Sequence, residues 1–141
     1  MWYYNDVLFE EIPEGIVGYV YLITNLLNNR KYIGKKNFYF SKTKQVKGKK
    51  KKFKVESDWK TYFGSNKELC ADVEKFGKEN FKREILRLCK SKGEFGYFEA
   101  KMQFENNVLE SDEWYNSYIM VRVNKNRSEE HTSELQSHVR I

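Results

Sequence analysis

Two runs of β-branched and aromatic residues near the start of the chain predict a pair of neighbouring strands. The segment Gly18–Lys36 reads GYVYLITNLLNNRKYIGKK, and its two runs flank Asn25–Arg30, an Asn-rich stretch without apolar alternation. This composition is typical of a strand–turn–strand unit, so we expect a hairpin over about residues 17–36. Tyr21 and Tyr32 stand eleven residues apart, one in each run. In a hairpin these tyrosines lie on neighbouring strands and can converge on one surface, although tyrosine is also an ordinary strand residue.

Helical periodicity predicts a first helix that begins near Ser65. This residue is followed three positions later by Glu68, which is the spacing of a capping box. Apolar residues then recur at helical intervals, namely Leu69, Val73 and Phe76. Gly77 comes next and is expected to end the helix as a left-handed cap. The preceding segment, Asp58–Ser65, is expected to be a turn with exposed aromatic side chains.

A third strand and a second helix are predicted further along. The alternation of apolar and polar residues over Asn80–Cys89 (NFKREILRLC) predicts a strand, although the pattern does not decide which side of it faces the core. The pattern over Glu94–Leu109 predicts a helix. One apolar stripe is expected to run along this helix through Phe95, Phe98, Met102 and Leu109. Asp112–Val123 is expected to form a short irregular or extended segment at the end of the domain.

Two other segments lack a regular apolar pattern. Met1–Ile16 is aromatic and acidic, and we expect it to pack loosely against the domain. Phe38–Lys54 is rich in lysine, which predicts a flexible basic loop that contacts a phosphate backbone, with a solvated linker as the alternative. Its eight lysines are Lys42, Lys44, Lys47, Lys49, Lys50, Lys51, Lys52 and Lys54.

The composition favours a single small domain with a polyanionic partner. The chain has 141 residues, of which 40% are hydrophobic, and its net charge is +6. Cys70 and Cys89 have no second pair, so we expect reduced, buried thiols in a cytosolic protein rather than a zinc site. No apolar run reaches transmembrane length, and the start, MWYYNDVLFEE, lacks the regions of a signal peptide. The predicted location is therefore the cytoplasm.

The end of the sequence is expected not to belong to the fold. Residues 127–138, RSEEHTSELQSH, resemble the translation of a common sequencing-library adapter, with a polar, disordered terminus as the alternative. We therefore exclude Arg127–Ile141 from the domain. It contains both histidines, His131 and His138, so histidine catalysis and histidine zinc ligands are not expected. Without its two arginines and three glutamates, the net charge rises from +6 to +7.

The predicted hairpin resembles the signature of the GIY-YIG nuclease family. Val20-Tyr21 matches the end of the first motif, Tyr32-Ile33-Gly34 matches the second, and the TN-x-x-N-N-x-K-Y-I-G pattern joins them. Tyr19 departs from the family, which usually has glycine there. The resemblance spans roughly Val17–Asn116 and implies an α+β fold of order β-β-α-β-α, with a small antiparallel three-stranded sheet flanked by helices. The nuclease-like domain is placed at residues 17–126.

The resemblance also implies a metal ligand and a closing asparagine. Glu99, within the helical segment FEAKMQFE, is the implied ligand of Mg²⁺ or another divalent cation, and Glu105 is the competing choice. Trp114-Tyr115-Asn116 resembles the family's closing motif. Asn116 would hold the site by hydrogen bonds, although an ordinary surface turn is the alternative.

The catalytic expectations centre on the motif tyrosines. Because no histidine is expected, Tyr21 is the predicted general base. The reference pKa of a tyrosine, about 10, is too high for a general base unless nearby positive charge favours the phenolate. Lys35 or Lys36 would supply that charge. Tyr32 would orient water or phosphate. Gly34 would keep the strand end open for close backbone approach.

One departure concerns the phosphate clamp. The family's helix after the second motif usually carries an arginine, whereas this chain has none between Arg30 and Arg83. Lys60 or a lysine of the basic loop is expected to substitute, although lysine lacks the bidentate fork. No recognition domain of the zinc-finger or helix-turn-helix kind is evident, so specificity must be weak or arise from loops or a dimer.

The combined expectation is a divalent-metal-dependent DNA endonuclease, of the compact type found in phages and homing elements. DNA is the expected partner, without a membrane or a small-molecule cofactor. Two alternatives stay open: a nucleic-acid-binding module that keeps the fold but not the chemistry, and a basic globular protein with no role on nucleic acid.

Overall fold

A twisted sheet between an aromatic cluster and a helix forms the body of the protein. The computed structural model describes residues 1–120; the sequence-based expectations for the tail and for the end of Asp112–Val123 lie outside the described residues. The strands are β1 (Trp2–Tyr4), β2 (Val7–Phe9), β3 (Gly18–Asn25), β4 (Lys31–Asn37), β5 (Tyr39–Val46), β6 (Lys49–Glu56) and β7 (Phe81–Cys89). The helices are α1 (Lys67–Phe76) and α2 (Lys92–Glu105), with short 3-10 turns at Trp59–Thr61 and Lys78–Asn80.

The predicted hairpin forms the centre of the sheet. β3 and β4 pair antiparallel, with Tyr21 opposite Gly34 and Ile23 opposite Tyr32. The strand predicted at the third position is β7, which pairs antiparallel with β3 on its other side. The strand order is β2-β1-β7-β3-β4, so β4 lies at an edge of the sheet. The predicted α+β class is therefore confirmed.

The predicted three-stranded antiparallel sheet is wrong in size and in type, because the N-terminal segment adds two strands. β1 runs parallel to β7, and β2 pairs antiparallel with β1, which makes the sheet mixed and five-stranded. Trp2 is 2% exposed, and its Nε1 donates a hydrogen bond to the carbonyl oxygen of Trp59 at 2.7 Å. Met1–Ile16 thus adds two strands to the sheet and Trp2 to the core, rather than being a loosely packed lead-in.

Aromatic residues fill one face of the sheet. Tyr19 and Tyr21 alternate with Val20 along β3, so both tyrosines reach this face and pack on Trp2 at ring-centroid distances of 5.0 and 5.5 Å. Trp59 is also fully buried and packs edge-on against Phe38 at 5.1 Å. The expectation of exposed aromatics at Asp58–Ser65 is therefore wrong for Trp59.

Helix α2 covers the opposite face. Phe95 is buried there against Val20, and Phe98 and Met102 are partly buried, as the predicted stripe requires. Leu109, however, is half-exposed, because the helix ends at Glu105 and the buried position is taken by Val108. The predicted helix bounds were four residues too long at this end.

Helix α1 is confirmed, but its ends differ from the expected caps. The cap is Asn66, whose side chain accepts a hydrogen bond from the Leu69 N–H at 2.9 Å, rather than Ser65. Glu68 forms an ion pair with Arg30 instead of closing a capping box. Gly77 ends the helix with φ +94° and ψ 145°, a positive φ that suits glycine but not the left-handed helical cap that was expected.

The basic segment is a β-hairpin, so the prediction of a flexible loop is wrong. β5 and β6 pair along their whole length, from Tyr39 opposite Glu56 to Val46 opposite Lys49. The two-residue turn between them has positive φ at both positions, +50° at Lys47 and +75° at Gly48, as tight hairpins require. We call this hairpin, residues 39–56, the lysine ribbon.

Two smaller findings concern the cysteines and membrane spans. Cys89 is buried as expected, whereas Cys70 is exposed, because it lies on the outer side of α1. Within residues 1–120, no helix has both the length and the apolar character needed to cross a bilayer.

Candidate active site

A cleft of about 880 Å³ opens along β4, the edge strand of the sheet. On its outer side β4 is bridged at Lys31 by the segment after α2 rather than paired with a full strand, so side chains from both faces of the sheet reach this cleft. Its walls come from the two motif strands, the starts of both helices and the segment after α2. The lining includes Tyr21, Tyr32, Lys35, Ser65, Asn66, Lys67, Glu68, Lys92, Gly93, Gly96, Glu99, Gln103, Tyr115, Asn116, Ser117 and Tyr118.

The phenol of Tyr21 lies directly on the backbone of Gly34. A Cβ at Gly34 would stand only 2.4 Å from the Tyr21 hydroxyl oxygen and 2.6 Å from its Cζ. On the other side, a Cβ at Gly64, where φ is +91°, would be 3.4 Å from the same hydroxyl. The second motif therefore needs glycine so that the tyrosine of the first motif can lie across it.

Burial keeps the Tyr21 phenol neutral. Its pKa is raised well above the ordinary value, first by loss of hydration and then by the neighbouring phenols of Tyr62 and Tyr32. The expected lowering by Lys35 or Lys36 is not found. Lys36 pairs with Asp58 at 2.6 Å, and Lys35 faces a different carboxylate. Tyr32 is less buried, and its pKa is also raised by burial, with Ser65 acting in the opposite direction.

Within residues 1–120, two carboxylates line the cleft, Glu99 and Glu68, and Glu68 is paired with Arg30. The Glu99 side chain is only 14% exposed, and the Lys35 Nζ stands 3.8 Å from its Oε1. Burial raises the pKa of Glu99, and Lys35 opposes that shift. Glu105, the competing choice, is exposed near the end of α2 and is not among the residues that line the cleft. The geometry therefore favours Glu99 over Glu105.

Asn116 secures the edge strand at the second motif. Its Nδ2 donates to the Ile33 carbonyl at 2.9 Å, and its Oδ1 accepts from the Ile33 N–H at 3.1 Å. Gln103, one turn after Glu99 on α2, donates from Nε2 to the same carbonyl at 2.9 Å. These bonds occupy backbone groups that an edge strand would otherwise leave unpaired. The segment that contains Asn116 and helix α2 thus hold β4 in position, together with its residues Tyr32 and Gly34.

The cations of the cleft include two that the sequence reasoning missed. Lys67 and Lys92 are the first residues of α1 and α2, so both helix N-termini open into the cleft beside Lys35. Helix N-termini carry partial positive charge and unpaired N–H groups that favour anions. No sequence pattern could have identified these lysines, because they come from separate helices whose N-termini come together only in the folded chain.

The arginines within residues 1–120 are each engaged by other groups of the protein, Arg30 by two residues of the cleft wall, and Lys60 lies outside the cleft. Arg30 pairs with Glu68 and lies over the Tyr115 ring, and the buried Arg83 donates to the carbonyl oxygens of Lys60 and Tyr62. The Arg87 guanidinium stacks on Phe98 at 3.6 Å. Lys60 itself lies beside Trp59, outside the cleft. The expected substitution of the family's arginine by Lys60 is therefore not supported by its position.

We compared the chain with models of known protein families. Residues 2–119 match the family model described as “Putative endonuclease segE, GIY-YIG domain”. The chain belongs to the GIY-YIG endonuclease family. The match starts at residue 2, so the segment that forms β1 and β2 is part of the family domain of this nuclease. No curated protein and no solved structure matches the chain.

Glu99 is the carboxylate of the cleft that could hold a metal ion, because Glu68, the other one, pairs with Arg30. Residues 1–120 contain no group of three or more His, Cys, Asp or Glu side chains suited to hold an ion. Mg²⁺ retains several waters and is commonly held by one or two protein carboxylates together with substrate phosphates. Glu99, poorly hydrated and directed into the cleft, fits that requirement, and no dedicated protein cage is needed.

Proposed function

We propose that this nuclease is a divalent-metal-dependent DNA endonuclease that hydrolyses phosphodiester bonds in the cleft along β4. The observation that carries the proposal is the convergence of Tyr21, Tyr32 and Glu99 with two helix N-termini in one cleft. Family membership supports nuclease activity in general and DNA as the substrate. Metal dependence, the homing or phage-borne type and a cytoplasmic location in the host cell are our proposals.

The scissile phosphate would be held by the cations of the cleft. Lys35 and the helix-starting residues Lys67 and Lys92 line the same cleft as Tyr32 of the second motif. Their charges, together with the N–H groups of the two helix starts, attract phosphate and stabilise the negative charge that develops during hydrolysis. Three lysines from three different elements would thus replace the single bidentate arginine of the family.

Glu99 would hold the cation. When bound, Mg²⁺ supplies Lewis-acid stabilisation of the phosphate and of the leaving oxygen. The raised pKa of Glu99 means that its carboxylate loses its proton at a higher pH than usual. Lys35, 3.8 Å away, favours the charged form and keeps the carboxylate in place.

Tyr21 and Tyr32 would act on the attacking water. Both phenols line the cleft, and their rings lie 6.1 Å apart between centroids. Because its raised pKa keeps Tyr21 protonated at neutral pH, only a small fraction of molecules carries the phenolate that can take a proton from water. Tyr32 would orient the water or a phosphate oxygen, and Asn116 would hold the strand that carries Tyr32.

The proposal is tested by nicking of supercoiled plasmid DNA with the full chain. We expect conversion to nicked or linear DNA in the presence of Mg²⁺ and complete arrest by EDTA, with recovery when Mg²⁺ is added back. DNA binding is measured in parallel by gel shift at the same salt concentration. Cleavage that continues in EDTA would refute metal dependence.

A second candidate is a DNA-binding module without chemistry. The observations that favour it are the engaged arginines and a motif tyrosine whose pKa is raised rather than lowered. The same experiment separates the two functions. Tight binding with no nicking in Mg²⁺, Mn²⁺ or Co²⁺ would support the module and reject the enzyme.

A further inference from the structure

The lysine ribbon is exposed along nearly its whole length. Only Val46 and Val55 are partly covered, and the remaining residues of β5 and β6 are exposed. Eight of its residues are lysines, and Glu56 at its base is the single acidic residue. Lys44 stands directly opposite Lys51, an arrangement of like charges that weakens a hairpin on its own. Such a ribbon is matched in charge to a polyanion.

The register divides the ribbon into two faces of different chemistry. Directly opposed residues of an antiparallel pair share a face, and successive residues alternate. The polar face carries the pair Tyr39–Glu56 at the base and then the three lysine-containing pairs Ser41–Lys54, Thr43–Lys52 and Gln45–Lys50. The mixed face carries the pairs Phe40–Val55, Lys42–Phe53, Lys44–Lys51 and Val46–Lys49.

The dimensions of the ribbon suit the major groove of DNA. Eight residues per strand at about 3.4 Å each give a length of about 27 Å from base to tip. Pairs on one face recur every two residues, or about 6.8 Å, which equals two base steps of about 3.4 Å. The major groove is wide enough to admit a two-stranded ribbon, whereas the minor groove is about half as wide.

We propose that the lysine ribbon enters the major groove of the DNA substrate with its polar face toward the base edges. This inference rests on the proposed DNA endonuclease function. A glutamine side chain suits adenine N6 and N7, a lysine suits guanine O6 and N7, and a threonine methyl suits the methyl group of thymine. Gln45, Thr43 and the lysines opposite them supply these groups. The lysines of the mixed face stand on the opposite side, and their long, flexible side chains would reach back to the phosphates that flank the groove.

The ribbon is anchored firmly to the catalytic strand. Only Phe38 separates β4 from β5, and this residue is completely buried against Tyr19 and Trp59. The Ser57 N–H donates to the Phe38 carbonyl at 2.7 Å, and the Ser57 Oγ donates to that of Asn37 at 2.7 Å. Both strands of the ribbon are therefore fixed at the base, and the cut should fall at a constant distance from the bound sequence.

The direct test is chemical protection of bound DNA by the full chain without divalent metal. Dimethyl sulfate methylates guanine N7 in the major groove and adenine N3 in the minor groove. On a duplex selected from a random pool, we expect protection of guanine N7 over about five base pairs, the span of three pairs on the polar face, and unchanged reactivity of adenine N3. Protection of adenine N3 in place of guanine N7, or tighter binding to duplex RNA than to DNA, would overturn the proposal.

Matched variants of the two faces provide the second arm. Replacing Ser41, Thr43 and Gln45 together by alanine should reduce the preference for the selected site over random DNA by at least about tenfold, because the polar groups that read base edges are removed. The control combines Lys44→Gln with Lys51→Gln on the mixed face. It should weaken binding to both DNAs alike and leave the preference unchanged. An unchanged preference in the alanine variant would refute base recognition by this face.

The outcomes also separate this inference from the proposed function. All these residues are exposed, so circular dichroism and melting curves of both variants should match those of the unaltered chain. Protection at guanine N7 without any cleavage in Mg²⁺ would support the ribbon and reject the enzyme. Cleavage in Mg²⁺ without that protection would support the enzyme and reject the ribbon.

Discussion

Tyr21 is the residue on which the proposed chemistry of the cleft depends most. We expect Tyr21→Phe to slow DNA cleavage by about two to four orders of magnitude, since the variant removes the group that accepts a proton from water. The ring is kept, so the packing on Gly34 and Trp2 should persist. The measurement is the single-turnover cleavage rate at saturating DNA.

Tyr19→Phe is the matched control for that variant. The Tyr19 hydroxyl is buried and has no hydrogen-bond partner within residues 1–120, and Tyr19 does not line the cleft. Its removal should leave cleavage unchanged and stability unchanged or slightly improved, because an unpaired buried hydroxyl costs free energy. Equal loss of activity in both variants would show that Tyr21→Phe acts through packing rather than through its hydroxyl.

The raised pKa of Tyr21 predicts how cleavage depends on pH. If the phenolate is the active form, its fraction increases tenfold per pH unit at every pH below the pKa, which lies well above the ordinary value of 10.0. The logarithm of the single-turnover rate should therefore rise with a slope near one between about pH 7 and 9. A flat profile over this window would mean that Tyr21 positions the water and that another group takes the proton.

Gly34 tests the close contact between the two motifs. A Cβ 2.4 Å from the Tyr21 hydroxyl oxygen forces the phenol or the strand to move, so Gly34→Ala should destabilise the fold by about 1–3 kcal/mol and reduce cleavage strongly. Gly96→Ala on α2 is the control. The nearest atom there is the Lys35 Nζ at 3.8 Å, and alanine favours a helix. Denaturant unfolding should show lower stability for the first variant and no decrease for the second.

Single residues were predictable where a local pattern carried the information. Tyr21, Tyr32, Gly34 and Glu99 all line or border the cleft, as the motif resemblance implied. The sequence could not reveal Lys67 and Lys92, because neither lysine belongs to a motif and their proximity depends on how two helices pack. The roles assigned to the cleft residues stay predictions until the variants are measured.

At the scale of elements, the long apolar patterns were informative and the short or charged ones were not. β3, β4, α1 and β7 were predicted within a few residues, because each has a clear period. β1 is only three residues long and gains its place by pairing with β7, a partner about eighty positions away that no local pattern reveals. In the lysine ribbon, a run of like charges obscured the few apolar positions and the Lys47-Gly48 turn.

The lysine ribbon gives a prediction about affinity. Replacing Lys49–Lys52 by glutamine should weaken DNA binding and flatten the slope of log affinity against log salt by about 0.9 for each phosphate that is no longer neutralised. The single-turnover rate on saturating DNA should change little, because interactions made equally in the ground and transition states do not alter it. Titrations at several salt concentrations, combined with saturated rates, check both statements.

A loss of turnover without a loss of affinity would give the lysine ribbon a different role. If saturated turnover collapses while affinity is retained, one of these lysines supplies the cation that the family's arginine usually provides. That result would contradict the assignment of phosphate stabilisation to Lys35, Lys67 and Lys92.

At the scale of the whole molecule, one strand connects the candidate active site with the lysine ribbon proposed to bind DNA. β4 carries Tyr32, Gly34 and Lys35, is held from one side by Asn116 and Gln103, and continues through the buried Phe38 into the lysine ribbon. The aromatic cluster on one face and α2 on the other keep this strand rigid. The net charge of the chain, +6, favours its electrostatic attraction to a polyanion such as DNA.

The most direct test of the central claim compares Glu99→Gln with Glu105→Gln in DNA cleavage across a range of Mg²⁺ concentrations. Both changes remove one negative charge from α2, but only Glu99 lines the cleft. We predict that Glu99→Gln lowers the saturated cleavage rate by about two orders of magnitude or more while DNA binding without metal is retained, and that Glu105→Gln matches the unaltered chain. Full cleavage by Glu99→Gln, or its loss in Glu105→Gln, would contradict the assignment of the active site to this cleft.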